Sequence, residues 1–554
     1  MFGSGGGTSS YTDLVNTDLI VLWGSNARET HPVMFLHMLR GIRNGAKLVV
    51  IDPRRTLSAD VAHTHLPIRV GADIALANAM AQVIFEEGLE NREFVGRATD
   101  NIDAYRETVR RYTPEYAEPL TGIPAEQIRW LARLYAQSQR AMLCWTLGIT
   151  EHHNATDNVY ALSNLSLLTG HIGRPGSGLA PLRGQNNVQG GGDMGALPDR
   201  LPGFQAIADD ARRQRVEQLW EAPIPSRPGK HQTAMMHAME HGDLRCMYVI
   251  GENPVQSDAD QHRVQRLFEG LDFLVVQDIT MTATARLADV VLPGCAGWAE
   301  SSGTFTNSER RVQLGQKSFD PPGEAHDDCL IVQDLANRMG ANWQYASSEE
   351  IWNEVRQVAP HMFGGMSYQR LIESQGLQWP CPDETHPGSP VLHTRLWDAV
   401  VEPRIAFRPT EYDPVADTID DEFPFVLTTG RRLEFFNTGV QTRAYPSARR
   451  QEELVWINPD DAATYGIERG QMVRVRSRRG ELTLRAGFDS GLSRGLLFMT
   501  LHFPDQTPTN VLTIEATDPI AGTAEFKASA VRIEPVRAAT AASNGTVRTA
   551  TPVA

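Results

Sequence analysis

One stretch of the chain combines a fixed cation with amide side chains and glycines, residue types that suit the binding of a large polar ligand. It runs from Leu182 to Pro198 and reads LRGQNNVQGGGDMGALP. Arg183 is its cation, and a guanidinium stays protonated and presents a planar fork of donors that suits a small carboxylate. The stretch therefore indicates a substrate-orienting role for Arg183. The alternative is a solvated loop with an ordinary surface arginine.

Two apolar runs that precede this stretch are predicted to be buried parallel strands. Residues 18–23 lead into Gly24-Ser25-Asn26, and residues 47–51 lead into Asp52-Pro53-Arg54-Arg55. Open α/β sheets bind ligands at the carboxyl ends of their strands, where these small and polar residues would lie.

The same pattern occurs again after the arginine stretch. Residues 245–250 run into Gly251-Glu252-Asn253-Pro254, and residues 272–276 run into Gln277-Asp278. Two strand–loop sets far apart in the chain predict two nucleotide-binding halves, although each set alone is an ordinary strand end.

Helices are predicted between these strands. The first spans His31 to Arg43, with Pro32 in its first turn, and the next is predicted to be capped by Asp73. Two adjacent histidines, His152 and His153, follow a predicted strand. Nothing nearby supplies a third ligand, so they are predicted to be polar loop residues rather than metal ligands.

The hydrophobic period changes from helical to alternating near residue 421. Val473–Arg476 and Leu482–Arg485, joined through Arg479-Gly480, predict a hairpin, and further strands are predicted at 425–429, 454–457 and 496–499. Residues 421 to 536 should therefore form a mostly-β barrel. The Pro- and acid-rich residues before it are predicted to be an inter-domain connection.

Composition excludes some classes of function. The chain has 554 residues, 41% of them hydrophobic, which is enough for three or four domains. Its formal charge of −15 argues against nucleic acid as a partner. No apolar run approaches the roughly 18 residues that cross a bilayer, so no direct membrane insertion is expected.

Five cysteines are widely spaced, and none forms a Cys-x-x-Cys pair: Cys144, Cys246, Cys295, Cys329 and Cys381. They indicate buried or free thiols in a reducing compartment, and the cytoplasm is the predicted location. Residues 3–10 resemble a flexible linker, and residues 538–554 are predicted to be disordered.

The arginine stretch also carries a family resemblance. Arg-Gly-Gln-Asn-Asn-Val-Gln-Gly followed by Asp-Met-Gly-Ala-Leu-Pro resembles the signature of the molybdenum/tungsten bis-pterin oxidoreductases, and within them of formate dehydrogenase catalytic (alpha) subunits. The likeness extends from Gly24-Ser25-Asn26 to Glu525-Phe526-Lys527 and includes Glu300 with residues 303–311. Gly191-Gly192 stands where the family often has Ala-Cys.

The resemblance implies an α/β fold: two Rossmann-like doubly wound α/β domains plus a C-terminal double-psi-type β-barrel. The expected boundaries are 1–185 and 186–395 for the two α/β domains, 396–420 for the connection, 421–536 for the barrel and 537–554 for a disordered tail.

It also implies the reaction and its cofactor. Formate would be oxidised to CO₂ at molybdenum or tungsten held by two pterin guanine dinucleotides, with Arg183 orienting the carboxylate. One dinucleotide would contact Gly24, Ser25, Asn26, Asp52 and Arg54, and the other Gly251, Asn253, Gln277 and Asp278; further cofactor contacts are implied for Gly184, Gln185, Asn186, Thr429, Gly430, Arg431, Gly439, His502, Asn510 and Lys527. His502 could equally be a satisfied barrel histidine.

The family has three features that this sequence lacks: a cysteine or selenocysteine metal ligand, a histidine beside it, and a cysteine-bound [4Fe-4S] cluster. In the family they precede the segment that resembles Phe2 to Asp18. We therefore expect this chain to be incomplete and inactive alone, either as a fragment or because its start follows a UGA selenocysteine codon taken for a stop.

Other subunits and other functions follow from the same resemblance. Iron–sulfur and flavin or NAD-reducing subunits are the expected partners for electron transfer. The alternatives are a nitrate reductase-like relative, or a non-catalytic structural homologue in an electron-transfer complex.

Overall fold

The computed structural model describes residues 1–3, 5–297, 299–439 and 452–536. The predicted disordered tail lies outside these residues. The strands are β1 Leu19–Trp23, β2 Lys47–Ile51, β3 Thr64–Leu66, β4 Thr99–Asp100, β5 Ala141–Trp145, β6 Gly178–Pro181, β7 Arg200–Leu201, β8 Gln205–Ala206, β9 Cys246–Ile250, β10 Phe273–Asp278, β11 Val290–Pro293, β12 Gly303–Thr306, β13 Arg311–Gly315, β14 Leu377–Gln378, β15 Ile405–Ala406, β16 Phe425–Thr429, β17 Leu454–Ile457, β18 Met472–Ser477, β19 Glu481–Phe488, β20 Leu496–Met499 and β21 Ser529–Pro535.

The α-helices are α1 Tyr11–Val15, α2 Ala27–Thr30, α3 Pro32–Arg43, α4 Asp73–Glu86, α5 Arg92–Ala98, α6 Ile102–Val109, α7 Pro114–Thr121, α8 Ala125–Gln137, α9 Leu147–Thr150, α10 Ala155–Thr169, α11 Val188–Asp193, α12 Asp210–Trp220, α13 Gln232–Glu240, α14 Pro254–Ser257, α15 Gln261–Glu269, α16 Asp328–Arg338, α17 Ser348–Val358, α18 Pro360–Phe363, α19 Tyr368–Glu373 and α20 Pro459–Thr464. Short 3₁₀ turns occupy Ala59–Val61, Ala285–Leu287, Thr394–Trp397 and Thr509–Val511.

The first sheet is parallel throughout, in the order β3-β2-β1-β5-β6. Its central strands are apolar on both faces. In β1, Leu19 and Val21 pack in one buried core, and Ile20 and Leu22 pack in a second one. Such two-sided burial explains the continuous apolar runs in the sequence. The strand order reverses between β1 and β5, which creates the crevice where doubly wound sheets bind ligands.

The second parallel sheet has the order β11-β10-β9. Leu274 and Val276 of β10 are buried against the helices that cover one face of this sheet. The predicted strands of both parallel sheets are confirmed. Next along the chain, β12 and β13 form an antiparallel hairpin, and β14 extends it.

The C-terminal strands close into a barrel in the order β16-β20-β17-β19-β18-β21. β18 and β19 pair antiparallel across the predicted hairpin. Alternate residues of β18, Val473 and Val475, are fully buried in the barrel core. The predicted mostly-β barrel is therefore confirmed, within a mixed α/β fold.

The predicted role of Asp73 as a helix cap is wrong. α4 begins at Asp73 itself, and its N-cap is Ala72. The Asp73 carboxylate instead accepts a hydrogen bond of 2.7 Å from the indole Nε1 of Trp23. Because that indole is fully buried, its N–H requires an acceptor inside the protein, and this requirement decides where the carboxylate points.

The predicted flexible N-terminal segment is instead packed into the fold. Residues 7–10 are buried, and Thr8 pairs with Leu179 at the edge of the first sheet through two hydrogen bonds of 2.9 Å. The Ser9 hydroxyl donates to the Ser177 carbonyl at 2.8 Å. Glycine allows this packing, since a Cβ on Gly6 would lie 2.9 Å from Cγ of Arg310.

The predicted connection also contributes to a core. Leu396, Val401, Ile405 and Phe407 are buried in the same cluster as the first sheet. Its short strand β15 pairs with β4 in parallel. This segment therefore packs onto the first α/β unit rather than only linking two units.

Candidate active site

A cleft lies between the first parallel sheet and the barrel, and the space within it, including its mouth open to solvent, is about 890 Å³. It lies at the strand-order reversal, beside the carboxyl ends of β1, β2 and β5. The predicted cofactor residues that line it are Gly24, Asn26, Asp52, Arg54, Gly184, Thr429, Gly430, Arg431 and Lys527. The structure thus brings together residues that are up to about 500 positions apart in the chain.

Two glycines form the floor of this cleft where β1 and β5 end. Gly24 has φ +56°, and the main-chain N–H of Gly148 donates to its carbonyl at 3.2 Å. A Cβ on Gly148 would lie 2.6 Å from Cα of Gly24. The two turns can approach this closely because both residues lack side chains, and main-chain groups are therefore exposed to a ligand.

Three cations of the described residues line the cleft. The Arg54 guanidinium stacks 3.5 Å from the centre of the Phe498 ring, and within the described part of the chain it has no hydrogen bond or ion pair. Lys527 pairs with Glu151 at 2.6 Å, and Arg431 donates to the Asn437 side chain at 2.6 Å. Burial lowers the pKa of Arg54 and of Arg431. A desolvated guanidinium without an acceptor is well suited to an anionic ligand.

An uncharged polar group beside the cleft, the Ser25 hydroxyl, is also unsatisfied among the described residues. The Ser25 hydroxyl is buried and has no hydrogen-bond partner among the described residues. Burial raises the pKa of Asp52, whose carboxylate accepts from the main-chain N–H of Arg54 at 2.9 Å. An orphaned hydroxyl such as that of Ser25 is uncommon in native proteins and fits a polar ligand.

Arg183 lies beside the cleft, because its neighbours Leu182 and Gly184 line it. Its guanidinium is half-buried: Nε donates to Oε1 of Gln189 at 3.0 Å, and Nη2 donates to the Gly5 carbonyl at 2.6 Å. Among the residues that the structure describes, Nη1 has no partner. Burial lowers the pKa of Arg183, and the charge of Asp193 opposes this effect.

The acceptors around Arg183 were not predicted as site residues. Gln189 and Asp193 are almost completely buried, and Nε2 of Gln189 donates to Oδ1 of Asp193 at 2.8 Å. Both lie on α11, a helix that the sequence analysis did not predict within the arginine stretch. Their i, i+4 spacing is the sequence signal that could have identified the pair.

The other carboxylate oxygen of Asp193 accepts from Nε1 of Trp379 at 2.8 Å. Burial raises the pKa of Asp193 to about 7, although the hydrogen bonds from Gln189 and Trp379 oppose the rise.

The predicted residues of the second half lie in the other parallel sheet, outside this cleft. Gly251 has φ +63° at the end of β9, and Asp278 accepts from the main-chain N–H of Ile279 at 2.7 Å. Asn253 accepts from the Thr284 hydroxyl at 2.9 Å. Gln277 donates to Asp328 at 2.6 Å. They occupy the carboxyl ends of β9 and β10, as predicted.

The remaining predicted residues are dispersed. Gln185 and Asn186 are exposed and do not line the cleft. Nδ1 of His502 lies 2.9 Å from the Phe436 carbonyl, and a Cβ on Gly439 would lie 2.5 Å from the His502 carbonyl oxygen. Asn510 donates to the Ser257 carbonyl at 2.9 Å and so joins the barrel to the second sheet.

His152 and His153 lie in a turn, in agreement with the predicted loop, and both contact the carboxylate of Glu525. Nδ1 of His152 lies 3.0 Å from Glu525, and Nδ1 of His153 lies 3.2 Å from it. Nε2 of His153 also lies 3.0 Å from the exposed Asp413. Because the two histidines lie in a turn rather than a strand, their rings can converge. They join the first α/β unit to the barrel at one wall of the cleft.

The charges of this contact are mutually stabilised. Burial raises the pKa of Glu525, but hydrogen bonds from the two histidines outweigh it and lower that pKa to about 2. The hydrogen bond to Glu525 raises the pKa of His153 to about 9, against the effect of burial.

Neither a metal cluster nor a membrane-spanning helix occurs in the described ranges. Within these ranges, no group of three or more His, Cys, Asp or Glu side chains is arranged to hold a metal ion. No helix of the described residues is long and apolar enough to span a membrane.

Two family models match the chain. The molybdopterin oxidoreductase model matches residues 3–338, and the molybdopterin dinucleotide-binding domain model matches residues 425–530. The first covers the arginine stretch and both parallel sheets. The second covers most of the barrel.

Similar curated proteins include formate dehydrogenases. The F420-dependent formate dehydrogenase subunit alpha of Methanocaldococcus jannaschii is 42% identical over 538 residues, which cover 96% of this chain and 79% of the relative. Formate dehydrogenase H of Escherichia coli is 36% identical over 96% of this chain and 75% of its own length. The assimilatory nitrate reductase catalytic subunit of Bacillus subtilis is 34% identical over 97% of this chain and 77% of its own length.

Acetylene hydratase from Pelobacter acetylenicus has a similar solved structure. The TM-score is 0.73 over 96% of this chain and 79% of that one, at 20% identity. At this identity the likeness supports the fold alone.

The contact at Glu525 predicts a stability difference that depends on pH. Replacing Glu525 by Gln should lower the free energy of unfolding by about 3 kcal/mol, because two histidines lose a buried carboxylate. His153 has a raised pKa, so its contribution to stability is complete below its ordinary pKa of 6.5 and is lost as the pH rises through about 9. Glu525 has a lowered pKa, so its contribution is present above 4.5 and is lost as pH falls toward about 2.

Thermal unfolding of the wild type and the variant measures this dependence. The difference should be largest between about pH 5 and 6.5 and should shrink as the pH rises from about 6.5 to about 9. Asp518→Asn is the matched control, because Asp518 joins the same two units through Thr156 without a histidine. If the stability difference between Asp518→Asn and the wild type also disappeared at alkaline pH, the assignment of this pH dependence to His153 would be contradicted.

Proposed function

Because this chain belongs to the molybdopterin oxidoreductase family, we propose that it is the catalytic alpha subunit of a formate dehydrogenase. The proposed reaction is the two-electron oxidation of formate to CO₂ at a molybdenum or tungsten centre held by two pterin guanine dinucleotides. The observation that carries the proposal is Arg183, a guanidinium beside the cleft whose Nη1 has no partner among the described residues. Formate dehydrogenase alpha subunits that are 42% identical over nearly the whole chain support it.

The residues of the cleft fit a dinucleotide. Arg54 would pair with its phosphates, since this guanidinium has no acceptor among the described residues and is already stacked on Phe498. The main chain at Gly24 and Gly148 and the Ser25 hydroxyl offer further polar contacts. Gly251, Asn253, Gln277 and Asp278 would hold the second dinucleotide at the other sheet. When bound, the metal–pterin group would take up the two electrons that formate loses.

In the proposed reaction, the residues of this chain bind and orient the substrate. Nε and one N–H of Nη2 of Arg183 are engaged along one edge of the guanidinium. The adjoining edge, formed by Nη1 and the second N–H of Nη2, is a fork that a carboxylate can bind with both oxygens. Gly5 and Gln189 prevent rotation of the fork, so formate would be held in one orientation.

The route of the electrons is also part of the proposal. We propose that a [4Fe-4S] cluster and separate iron–sulfur, and flavin or NAD-reducing, subunits receive the electrons, with a cysteine or selenocysteine as the metal ligand.

The low use of cysteine, without Cys-x-x-Cys pairs, supports a cytoplasmic location.

Dinucleotide binding at Arg54 can be tested through cofactor content. Replacing Arg54 by Ala should reduce the pterin bound per chain several-fold, because a phosphate loses a charged hydrogen-bond donor. The measurement is the fluorescence of the oxidised pterin released from purified holoenzyme. Arg55→Ala is the matched control, since the exposed Arg55 pairs with Asp60 and does not line the cleft. Equal pterin content in both variants would contradict the assignment.

The substrate role of Arg183 can be tested by kinetics. In the holoenzyme, Arg183→Ala should raise KM for formate about 10- to 100-fold, the effect of losing a charge-assisted hydrogen-bond pair. kcat should change much less, because the lost interaction binds the carboxylate before and during reaction alike. Arg200→Ala serves as the control, since Arg200 pairs with Asp199 away from the cleft. Turnover of nitrate instead of formate by the wild type would contradict the proposed substrate.

A further inference from the structure

Gln189 lies between Arg183 and Asp193, and its side-chain amide makes three hydrogen bonds. Oε1 accepts from Nε of Arg183 at 3.0 Å. Nε2 donates to the Gly5 carbonyl at 3.1 Å and to Oδ1 of Asp193 at 2.8 Å. Both hydrogens of the amide nitrogen and one lone pair of its oxygen are therefore used.

This arrangement fixes which way the amide faces. In a flipped amide, Oε1 would meet two acceptors, Asp193 and the Gly5 carbonyl, while Nε2 would meet the N–H of Arg183. All three hydrogen bonds would be lost together. Gln189 is 2% exposed and Asp193 is fully buried, so water cannot replace them.

Trp379 fixes the carboxylate in turn. Its Nε1–H can only donate, and it donates to Oδ2 of Asp193 at 2.8 Å. The order of contacts is therefore Trp379, Asp193, Gln189 and Arg183, with each group limited to one orientation by the next.

We propose that Asp193 is a positioning residue for Arg183, acting through the Gln189 amide to hold the guanidinium fork open toward the substrate. The inference rests on the proposed role of Arg183 in binding formate. It adds two residues, Asp193 and Gln189, that the resemblance does not assign to the site. Neither is expected to touch the substrate.

The proposal predicts an unusual effect of Asp193→Asn. Trp379 would select the amide oxygen of the new side chain, because its N–H needs an acceptor. The NH₂ group of Asn would then face Nε2 of Gln189, donor against donor. The Gln189 amide would be displaced, and Nε of Arg183 would lose its acceptor.

A second substitution should restore the contact. In the double variant Asp193→Asn with Trp379→Phe, the new amide is free to turn its oxygen toward Gln189. The single variant Trp379→Phe keeps the carboxylate and is the control for lost packing, since Trp379 is a buried core residue.

Chemical modification of Arg183 gives a readout that requires no cofactor. The purified chain is treated with phenylglyoxal at about pH 8, above the raised pKa of about 7 of Asp193. Modification is followed by peptide mass spectrometry with the exposed Arg55 as internal reference. Asp193→Asn should raise the modification rate of Arg183 about tenfold, the factor expected for one lost charge-assisted hydrogen bond. Trp379→Phe and the double variant should remain within about twofold of the wild type.

Kinetics of the holoenzyme complete the test. Asp193→Asn should raise KM for formate with kcat little changed, and the double variant should reverse the increase. The proposal is overturned if Asp193→Asn leaves the modification rate unchanged, if Trp379→Phe alone has the same effect, or if the double variant does not restore protection. The modification rates test positioning even if Arg183→Ala shows that formate does not bind there.

Discussion

The candidate active site depends on one buried cation, Arg310, held by neutral acceptors. Arg310 is fully buried, with φ +66° at the turn between β12 and β13. Its guanidinium donates to the carbonyls of Gly7 at 2.6 Å, Ser389 at 2.8 Å, Pro390 at 2.8 Å and Trp379. Burial lowers its pKa to about 10. These carbonyls satisfy four of its five N–H donors, so the N-terminal segment, the hairpin and residues 379–390 are fixed to one point.

The position of Arg183 follows from that constraint. The Gly5 carbonyl that holds Nη2 of Arg183 lies two residues before Gly7, and the indole that holds Asp193 belongs to Trp379. The acceptors in direct contact with Arg183 are a carbonyl and an amide, so no carboxylate forms an ion pair with it among the described residues. Neutral acceptors hold the guanidinium in place and leave its charge for a small anion.

The sequence predicted the parallel strands and the barrel because their burial patterns are local: continuous apolar runs for β1, and alternation for β18. It also predicted the residues at strand ends, since parallel strands place their carboxyl ends at one edge. It did not predict the packed N-terminal segment, α11, or the carboxylate of Asp73 on Trp23. Each depends on a partner more than 45 positions away or on glycines that suggest a loop. The domain boundaries and the roles of the cofactor residues stay predictions.

The central claim is that the edge of Arg183 formed by Nη1 and Nη2 binds the substrate carboxylate. The most direct measurement is a crystal structure of the holoenzyme with formate bound. The account predicts formate oxygens within about 3 Å of Nη1 and Nη2 of Arg183, with Nε still on Gln189 and Nη2 still on the Gly5 carbonyl. Formate bound in the active site without contact to Arg183 would contradict it.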